Sequence, residues 1–150
     1  MSLHLSPGER TDTVRLARPA GISAMSFFFV FGMMMSGLAA ISLAWPGGAL
    51  EAIWQLNPKG REGLGAMGLP AVVLMATVSL TCAGAAAGLW FARLWGWWLA
   101  VTILVINATA DLLNAVLGND PRMLIGLPVA GAMLYYLRTA RARAFFVGRR

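Results

Sequence analysis

The chain has 150 residues, of which 59% are hydrophobic and 12% are charged, and its formal net charge is +6. A soluble domain of this length has too little interior to bury so much apolar surface, so the composition excludes an ordinary globular domain and favours a membrane protein. Nucleic-acid binding is not indicated either, since the arginines flank apolar segments, where they suit anionic lipid headgroups.

Long apolar runs predict an all-α fold, a bundle of four transmembrane helices. The spans are predicted at about residues 22–45, 68–91, 95–117 and 123–137 of a transmembrane domain that covers residues 21–137. A polar segment, residues 1–20, precedes this domain, and a basic tail, residues 138–150, follows it. For the first run, a cleaved signal peptide ending at Ser42-Leu43-Ala44 is the alternative, but the run is longer than a typical signal.

The longest loop is predicted between the first two spans. Trp45-Pro46-Gly47-Gly48 ends the first span, because proline cannot continue a helix. An apolar helical face around Trp54 then predicts a short helix lying in the interface, which must end at Asn57 because Pro58 follows. Residues 63–68 match G-x-G-x-x-G, but without a preceding strand they indicate a flexible loop and not a dinucleotide site.

Four tryptophans, Trp90, Trp95, Trp97 and Trp98, surround Arg93 in the connection between the second and third spans, which predicts an aromatic belt at one membrane face. With four spans, the N-terminal segment, this connection and the tail share a side that holds nine lysines and arginines, whereas the other side holds three. The positive-inside rule therefore predicts that both termini are cytoplasmic.

One stripe of polar residues, Asn107, Asp111 and Asn114, lies inside the third span at helical spacing. An ionisable residue at membrane depth costs roughly 2.5–3.5 kcal/mol and therefore marks a candidate functional site. In one interpretation the carboxylate binds a proton or cation in a pocket between helices, and the amides supply further ligands. In another, the three side chains form hydrogen bonds that fix helix packing. In a third, Asp111 reaches interfacial water near the outer face.

Two further sets of residues are predicted to mediate contacts. Small residues let helix backbones approach closely, and in the first two spans they recur at four-residue spacing at Gly32, Ser36, Gly84 and Gly88. Their partner helices are expected within the same chain. Basic residues near a membrane surface each contribute about 1 kcal/mol of attraction to anionic lipid, and those of the tail that are predicted to do so are Arg138, Arg141 and Arg143.

Catalytic and metal chemistry have few side chains to draw on. Cys82 is the only cysteine and His4 the only histidine, so no intramolecular disulfide, catalytic triad or His/Cys metal cluster can be assembled. The methionines at 33–35 point in different directions around a helix and cannot converge on one copper(I) ion. We therefore predict that the protein is not an enzyme and binds no metal or cofactor.

A set of short motifs extends over residues 45–146. It consists of WQLNP at 54–58, GLW at 88–90, WG at 95–96, the polar stripe, and LIGLP at 124–128 with the following Gly131 and Tyr136-Leu137. This set resembles a family of small bacterial four-span integral membrane proteins of no known activity, in which a glycine is expected where Ala110 precedes the aspartate. The resemblance implies a multi-pass protein of the bacterial cytoplasmic (inner) membrane in which the aspartate stripe matters, and it implies no activity.

These features favour a non-enzymatic integral membrane protein that acts through helix–helix contacts, as an accessory subunit or a homo-oligomer. Its expected partners are the lipid bilayer and either a second copy or another membrane protein, and not nucleic acid. The alternative is a small transporter or channel in which Asp111 couples to protons or a cation. Such a transporter would need at least a dimer, since four spans are few for a complete pathway.

Overall fold

The computed structural model of the protein describes residues 19–117, 126–139 and 146. Within these ranges the chain is all-helical and contains no strand. Its elements in chain order are α1 (Ala20–Ala44), a 3-10 helix (Ala49–Leu56), α2 (Pro58–Met67), α3 (Leu69–Trp90), α4 (Leu94–Leu117) and α5 (Gly126–Arg138). The first three predicted spans correspond to α1, α3 and α4, with ends that differ by two residues at most.

Three of the described helices, α1, α3 and α4, are long and apolar enough to cross a membrane, so the protein is membrane-embedded. With 25, 22 and 24 residues, they extend roughly 33–38 Å, which exceeds the roughly 30 Å hydrocarbon core. The 13 residues of α5 extend about 20 Å, too short to cross that core. Three spanning helices are therefore identified among the described residues where the sequence predicts four, and residues 123–125 of the predicted fourth span lie outside the described residues.

The core forms where α1, α3, α4 and α5 meet. The largest helix–helix contact joins α1 to α3, and α4 then packs on α3 and α5 on α4. An interhelical hydrogen bond supports the first pair, since Ser79 Oγ donates to the Met33 carbonyl at 2.9 Å. Lipid is as apolar as this core, so close packing and such hydrogen bonds hold the helices together. The buried core residues of the four helices are Ile22, Met25, Phe29, Cys82, Ala85, Ala86, Leu89, Trp97, Ala100, Leu104, Ala130 and Leu137.

The helices alternate in direction, so the start of α1, the end of α3, the start of α4 and the end of α5 lie in one layer, which we name the Arg93 face. Trp97 Nε1 donates to the Leu137 carbonyl at 3.2 Å and joins α4 to α5 in this layer. The ring of Tyr136 fills the space beside Gly21 and joins α5 to α1. The end of α1 lies on the opposite side, named the cap face, together with the 3-10 helix and α2.

A tight turn joins α3 to α4 at the Arg93 face. Ala92 has a φ of 53°, and the N–H of Arg93 donates to the Gly88 carbonyl at 2.8 Å. This left-handed residue after a helix is a common way of ending it. The chain reverses so closely that a Cβ on Gly88 would meet the Cα of Gly96 and lie 3.1 Å from its nitrogen. Glycine at both positions lets the two backbones touch.

Gly88→Ala is therefore expected to destabilise the protein, because its added methyl group meets the backbone of α4 and not a flexible side chain. The expected loss is about 1–3 kcal/mol in the free energy of unfolding, as for other overpacked sites, measured by thermal unfolding in detergent. Gly131→Ala in α5 is the matched control, since a Cβ there meets nothing within 4 Å. Equal unfolding midpoints for the two variants would contradict the assigned role of the Gly88–Gly96 contact.

The connection between α1 and α3 contains the short helix that the sequence predicts, and after it a second helix, α2, that the sequence does not predict. The 3-10 helix gives way at Asn57, as predicted, and Asn57 Oδ1 accepts a hydrogen bond from the N–H of Gly60 at 3.0 Å. This cap, with Pro58 in the first turn, begins α2. The prediction of a flexible loop over residues 63–68 is wrong, because α2 continues to Met67 despite its glycines.

Side-chain contacts hold the 3-10 helix, α2 and α1 together at the cap face. Trp54 is buried, and its Nε1 donates to Ser42 Oγ of α1 at 3.0 Å. Arg61 of α2 donates to both carboxylate oxygens of Glu51, at 2.8 and 3.2 Å, and its guanidinium carbon lies 5.9 Å from the ring centroid of Trp54. The hydrogen bond from Arg61, followed by that from the N–H of Gly47, lowers the pKa of Glu51 below its usual 4.5.

The contact between Glu51 and Arg61 is expected to weaken in acid. A carboxyl group whose pKa is lowered by folding stabilises the folded form above its unfolded pKa, and this contribution is lost as the pH falls through the folded pKa. Hydrogen-exchange protection of the α2 amides should therefore decrease as the pH falls below about 4.5. Glu51→Gln should remove this decrease, and Glu62→Gln, an exposed control on α2, should retain it. A decrease that survives in Glu51→Gln would belong to another group.

Candidate functional site on α4

The helix that carries the polar stripe is the most exposed of the three spanning helices. In the most apolar 18-residue segment of α4, 11% of the residues are buried, against 28% in α1 and in α3. Its buried residues, Gly96, Trp97, Ala100 and Leu104, all lie in its first half. Beyond Leu104 every residue of α4 is half-buried or exposed. The stripe lies in this exposed half.

Asp111 lies at the contact between α4 and α5. Its side chain is half-buried, and Oδ2 occupies the space where a Cβ would stand on Gly126, the first described residue of α5. Glycine at that position lets the carboxylate approach the backbone of the neighbouring helix. Within the described residues, Arg61 and Glu51 form a salt bridge, whereas Asp111 forms no salt bridge. The carboxylate thus lies between two helices, and its binding of a proton or cation stays a prediction.

The two amides of the stripe do not join Asp111 against α5. Asn107 and Asn114 are both exposed, as is Ala110, which lies between them. Positions 107, 110 and 114 are spaced i, i+3 and i+7 and therefore share one line on the helix surface. We name this line of Asn107, Ala110 and Asn114 the amide seam. The expected pocket of one carboxylate and two amides is accordingly not closed within the described part of a single chain.

The amide seam lies at the depth of the lipid chains. Asn107 comes thirteen residues after the start of α4 and ten before its end, which places it roughly 20 Å and 15 Å from the two ends. In a hydrocarbon core about 30 Å thick, this is near mid-depth. Moving an amide from water into apolar surroundings without a hydrogen bond costs roughly 2–7 kcal/mol, depending on the reference state. The exposed face of α4 therefore suits a polar partner better than lipid.

The predicted packing residues lie mainly inside the chain. Gly32 faces α3, and Gly84 and Gly88 face α4, where added side chains would meet the neighbouring helix. Ser36 forms a hydrogen bond within α1, its Oγ donating to the Gly32 carbonyl at 2.7 Å. Because the chain's own helices occupy these positions, the glycines are not free to receive a second copy.

The remaining predicted residues are placed only in part. Within residues 19–117 and 126–139, no three His, Cys, Asp or Glu side chains come together in a way that could hold a metal ion. Arg138 is exposed in the last turn of α5, whereas Arg141 and Arg143 lie outside the described residues. Their attraction to the membrane surface stays a prediction.

Two members of the site are not evident as functional residues from the sequence. The Asp111 carboxylate lies against Gly126. In the sequence, this residue stands out only as a glycine two residues before Pro128, at the start of an apolar run. Ala110 lies between two exposed amides. The sequence gives the helical spacing of these three residues, but only the structure shows that all three are exposed.

No protein-family model, curated protein or solved structure matches the chain. The resemblance to small four-span bacterial membrane proteins therefore stays a prediction.

Proposed function

We propose that the protein is a non-enzymatic integral membrane protein that acts through helix–helix contacts made by the exposed half of α4. It acts either as a homo-oligomer or as an accessory subunit of a larger membrane complex. In this proposal the predicted fourth span, at about residues 123–137, also crosses the membrane, both termini are cytoplasmic, and the membrane is the bacterial cytoplasmic (inner) membrane. The distribution of lysine and arginine supports this orientation.

The exposed amide of Asn107 near mid-depth is the observation that carries the proposal. Ala110 is small enough for another helix to approach closely, and Asn107 and Asn114 on either side can form hydrogen bonds across the contact. In a pair related by a two-fold axis the same residues face each other, so amides meet amides. Interhelical hydrogen bonds of this kind contribute about 0.6 kcal/mol on average and at most about 1.7 kcal/mol.

The exposed surface of α3 offers a direct contrast. Its hydroxyl groups are satisfied within the helix, since Thr77 Oγ1 donates to the Val73 carbonyl at 2.8 Å and Thr81 Oγ1 donates to the Thr77 carbonyl at 3.0 Å. Such a surface can face lipid without an unpaired polar group. The apolar residues beside the amide seam are exposed as well and would add close packing; they are Ile106, Leu113 and Leu117.

Ala110→Cys in a Cys82→Ala background is expected to form a disulfide-linked dimer in native membranes treated with a lipid-soluble oxidant. Paired seams bring the two Cα atoms at this position near the range of about 4.4–6.8 Å that a disulfide requires. Leu74→Cys in the same background is the matched control, because Leu74 is exposed and lies sixteen residues before the end of α3, as Ala110 lies sixteen residues after the start of α4. Non-reducing gel electrophoresis separates the two outcomes.

A second variant distinguishes the two forms of the proposal. Asn107→Leu combined with Asn114→Leu removes both amides and should lower the mass of the particle extracted in mild detergent, whereas Asp111→Asn should leave that mass intact. If Ala110→Cys stays monomeric but the wild-type particle is larger than one chain and shrinks in the double variant, the partner is another membrane protein. If the double variant also leaves the particle unchanged, both forms of the proposal are wrong.

The position of Asp111 favours a second function, a small transporter or channel coupled to protons or a cation. A half-buried carboxylate between two helices at membrane depth is costly and is commonly functional. Since four spans give a narrow bundle, the pathway would lie between copies that meet along α4.

In this second function, Asp111→Asn is expected to abolish proton flux, because an amide cannot exchange a proton at neutral pH. The measurement uses vesicles that contain a pH-sensitive dye and are subjected to a potassium or pH gradient. Glu62→Gln, on the exposed surface of α2, is the control and should retain the flux. Flux equal to that of protein-free vesicles, or unchanged by Asp111→Asn, ends this candidate.

A further inference from the structure

Two cavities meet at Phe91 on the Arg93 face. One, of about 670 Å³, is lined by Phe91, Ala92, Arg93 and Trp95 at the α3–α4 turn. The other, of about 280 Å³, is a groove between α1 and α3 that descends from Phe91 toward the membrane centre. Phe91 lines both, so an elongated molecule that crosses its exposed ring would contact the two together.

The groove is apolar along its whole length. Its α3 wall contains the small residues Ala83 and Ala87, which leave space beside α1. The ring of Phe27 stands edge-on to that of Trp90, 6.1 Å away between centroids. Ser26 is the polar residue of the lining, and its hydroxyl already donates to the Ile22 carbonyl at 3.0 Å. The described lining therefore offers a mainly apolar contact surface, which suits a hydrocarbon chain.

The dimensions of the groove favour an occupant narrower than a helix. From Ala83 to Phe91 the wall extends about 12 Å along α3. A helix about 10 Å across would fill roughly 900 Å³ over that length, about three times the 280 Å³ present. A single acyl chain is narrow enough to enter.

The upper cavity presents a cation beside exposed aromatic rings. Arg93 is exposed and takes part in no ion pair within the described residues. Its backbone is fixed, since its N–H donates to the Gly88 carbonyl and its carbonyl accepts from the N–H of Gly96 at 3.0 Å. Phe91 and Trp95 are 65% and 54% exposed on either side of it, as aromatic side chains are at headgroup depth.

We propose that the two joined cavities bind one anionic phospholipid, with its phosphodiester against the guanidinium of Arg93 and one acyl chain in the groove between α1 and α3. Arginine matches a phosphate with paired N–H donors, and the apolar groove matches the chain. The site lies on α1, α3 and the α3–α4 turn, away from the amide seam, so it is independent of the function proposed for α4.

The test is native mass spectrometry of the full-length protein extracted from vesicles that contain equal amounts of phosphatidylglycerol and phosphatidylcholine. The wild type is expected to retain one phosphatidylglycerol, with about a fivefold preference over phosphatidylcholine, which corresponds to the roughly 1 kcal/mol contributed by one basic residue near anionic lipid. Arg93→Gln should reduce that preference to about equal retention. Lys59→Gln, which removes a charge from the exposed surface of α2 on the opposite face, is the control and should keep it.

The acyl-chain part of the site is tested separately with Arg93 intact. Ala87→Leu fills the groove and should lower retention of both lipids, whereas Ala76→Leu, exposed on α3 outside both cavities, should not. Both residues are exposed, so the variants are expected to fold, and equal thermal unfolding midpoints check this. Equal retention of the two lipids by the wild type, or retention unchanged by Arg93→Gln and Ala87→Leu, would overturn the proposal.

Discussion

The close approach of α3 and α4 at Gly88 and Gly96 is the constraint on which the rest of the structure depends. Helices in lipid gain little from hydrophobic association with each other, so backbone proximity and interhelical hydrogen bonds decide which surfaces meet. The tight turn fixes the two helices at the Arg93 face, and the indole of Trp97 adds α5 at the same end. Beyond Leu104, α4 has no buried residue, so its polar half is left for other contacts.

Polar residues on α3 and on the exposed half of α4 differ in how their hydrogen bonds are satisfied. A threonine hydroxyl on α3 can donate a hydrogen bond to a carbonyl of its own helix, as Thr77 does. Such a side chain then faces lipid at little cost in free energy. An asparagine side chain has two donors and an acceptor to satisfy, and Asn107 lies near mid-depth on the most exposed spanning helix. The same stripe holds Asp111, which α5 covers in part. A single helix thus presents a carboxylate to its own chain and amides on its exposed surface.

The two membrane faces differ in how they are held. The cap face is held by side chains, through the Trp54–Ser42 hydrogen bond and the Glu51–Arg61 ion pair. The Arg93 face combines the Gly88–Gly96 backbone contact with the buried indole of Trp97, and Phe91 and Trp95 remain exposed on either side of Arg93. Rigid backbone beneath exposed aromatic and basic groups suits recognition of lipid headgroups. The lipid site and the amide seam therefore use separate surfaces of one small bundle.

The sequence by itself determined that the chain lies in a membrane, where three of its helices begin and end, and that three polar residues share a stripe, because these properties depend on residues close together in the chain. It did not predict α2, because the glycines of this segment are unfavourable in a helix, although Asn57 caps its start. Only the tertiary structure decided that Asp111 meets Gly126 while Asn107 faces outward, and that Gly88 packs inside the chain. Helix pairing in lipid depends on the fit of surfaces from distant segments, which local patterns do not specify.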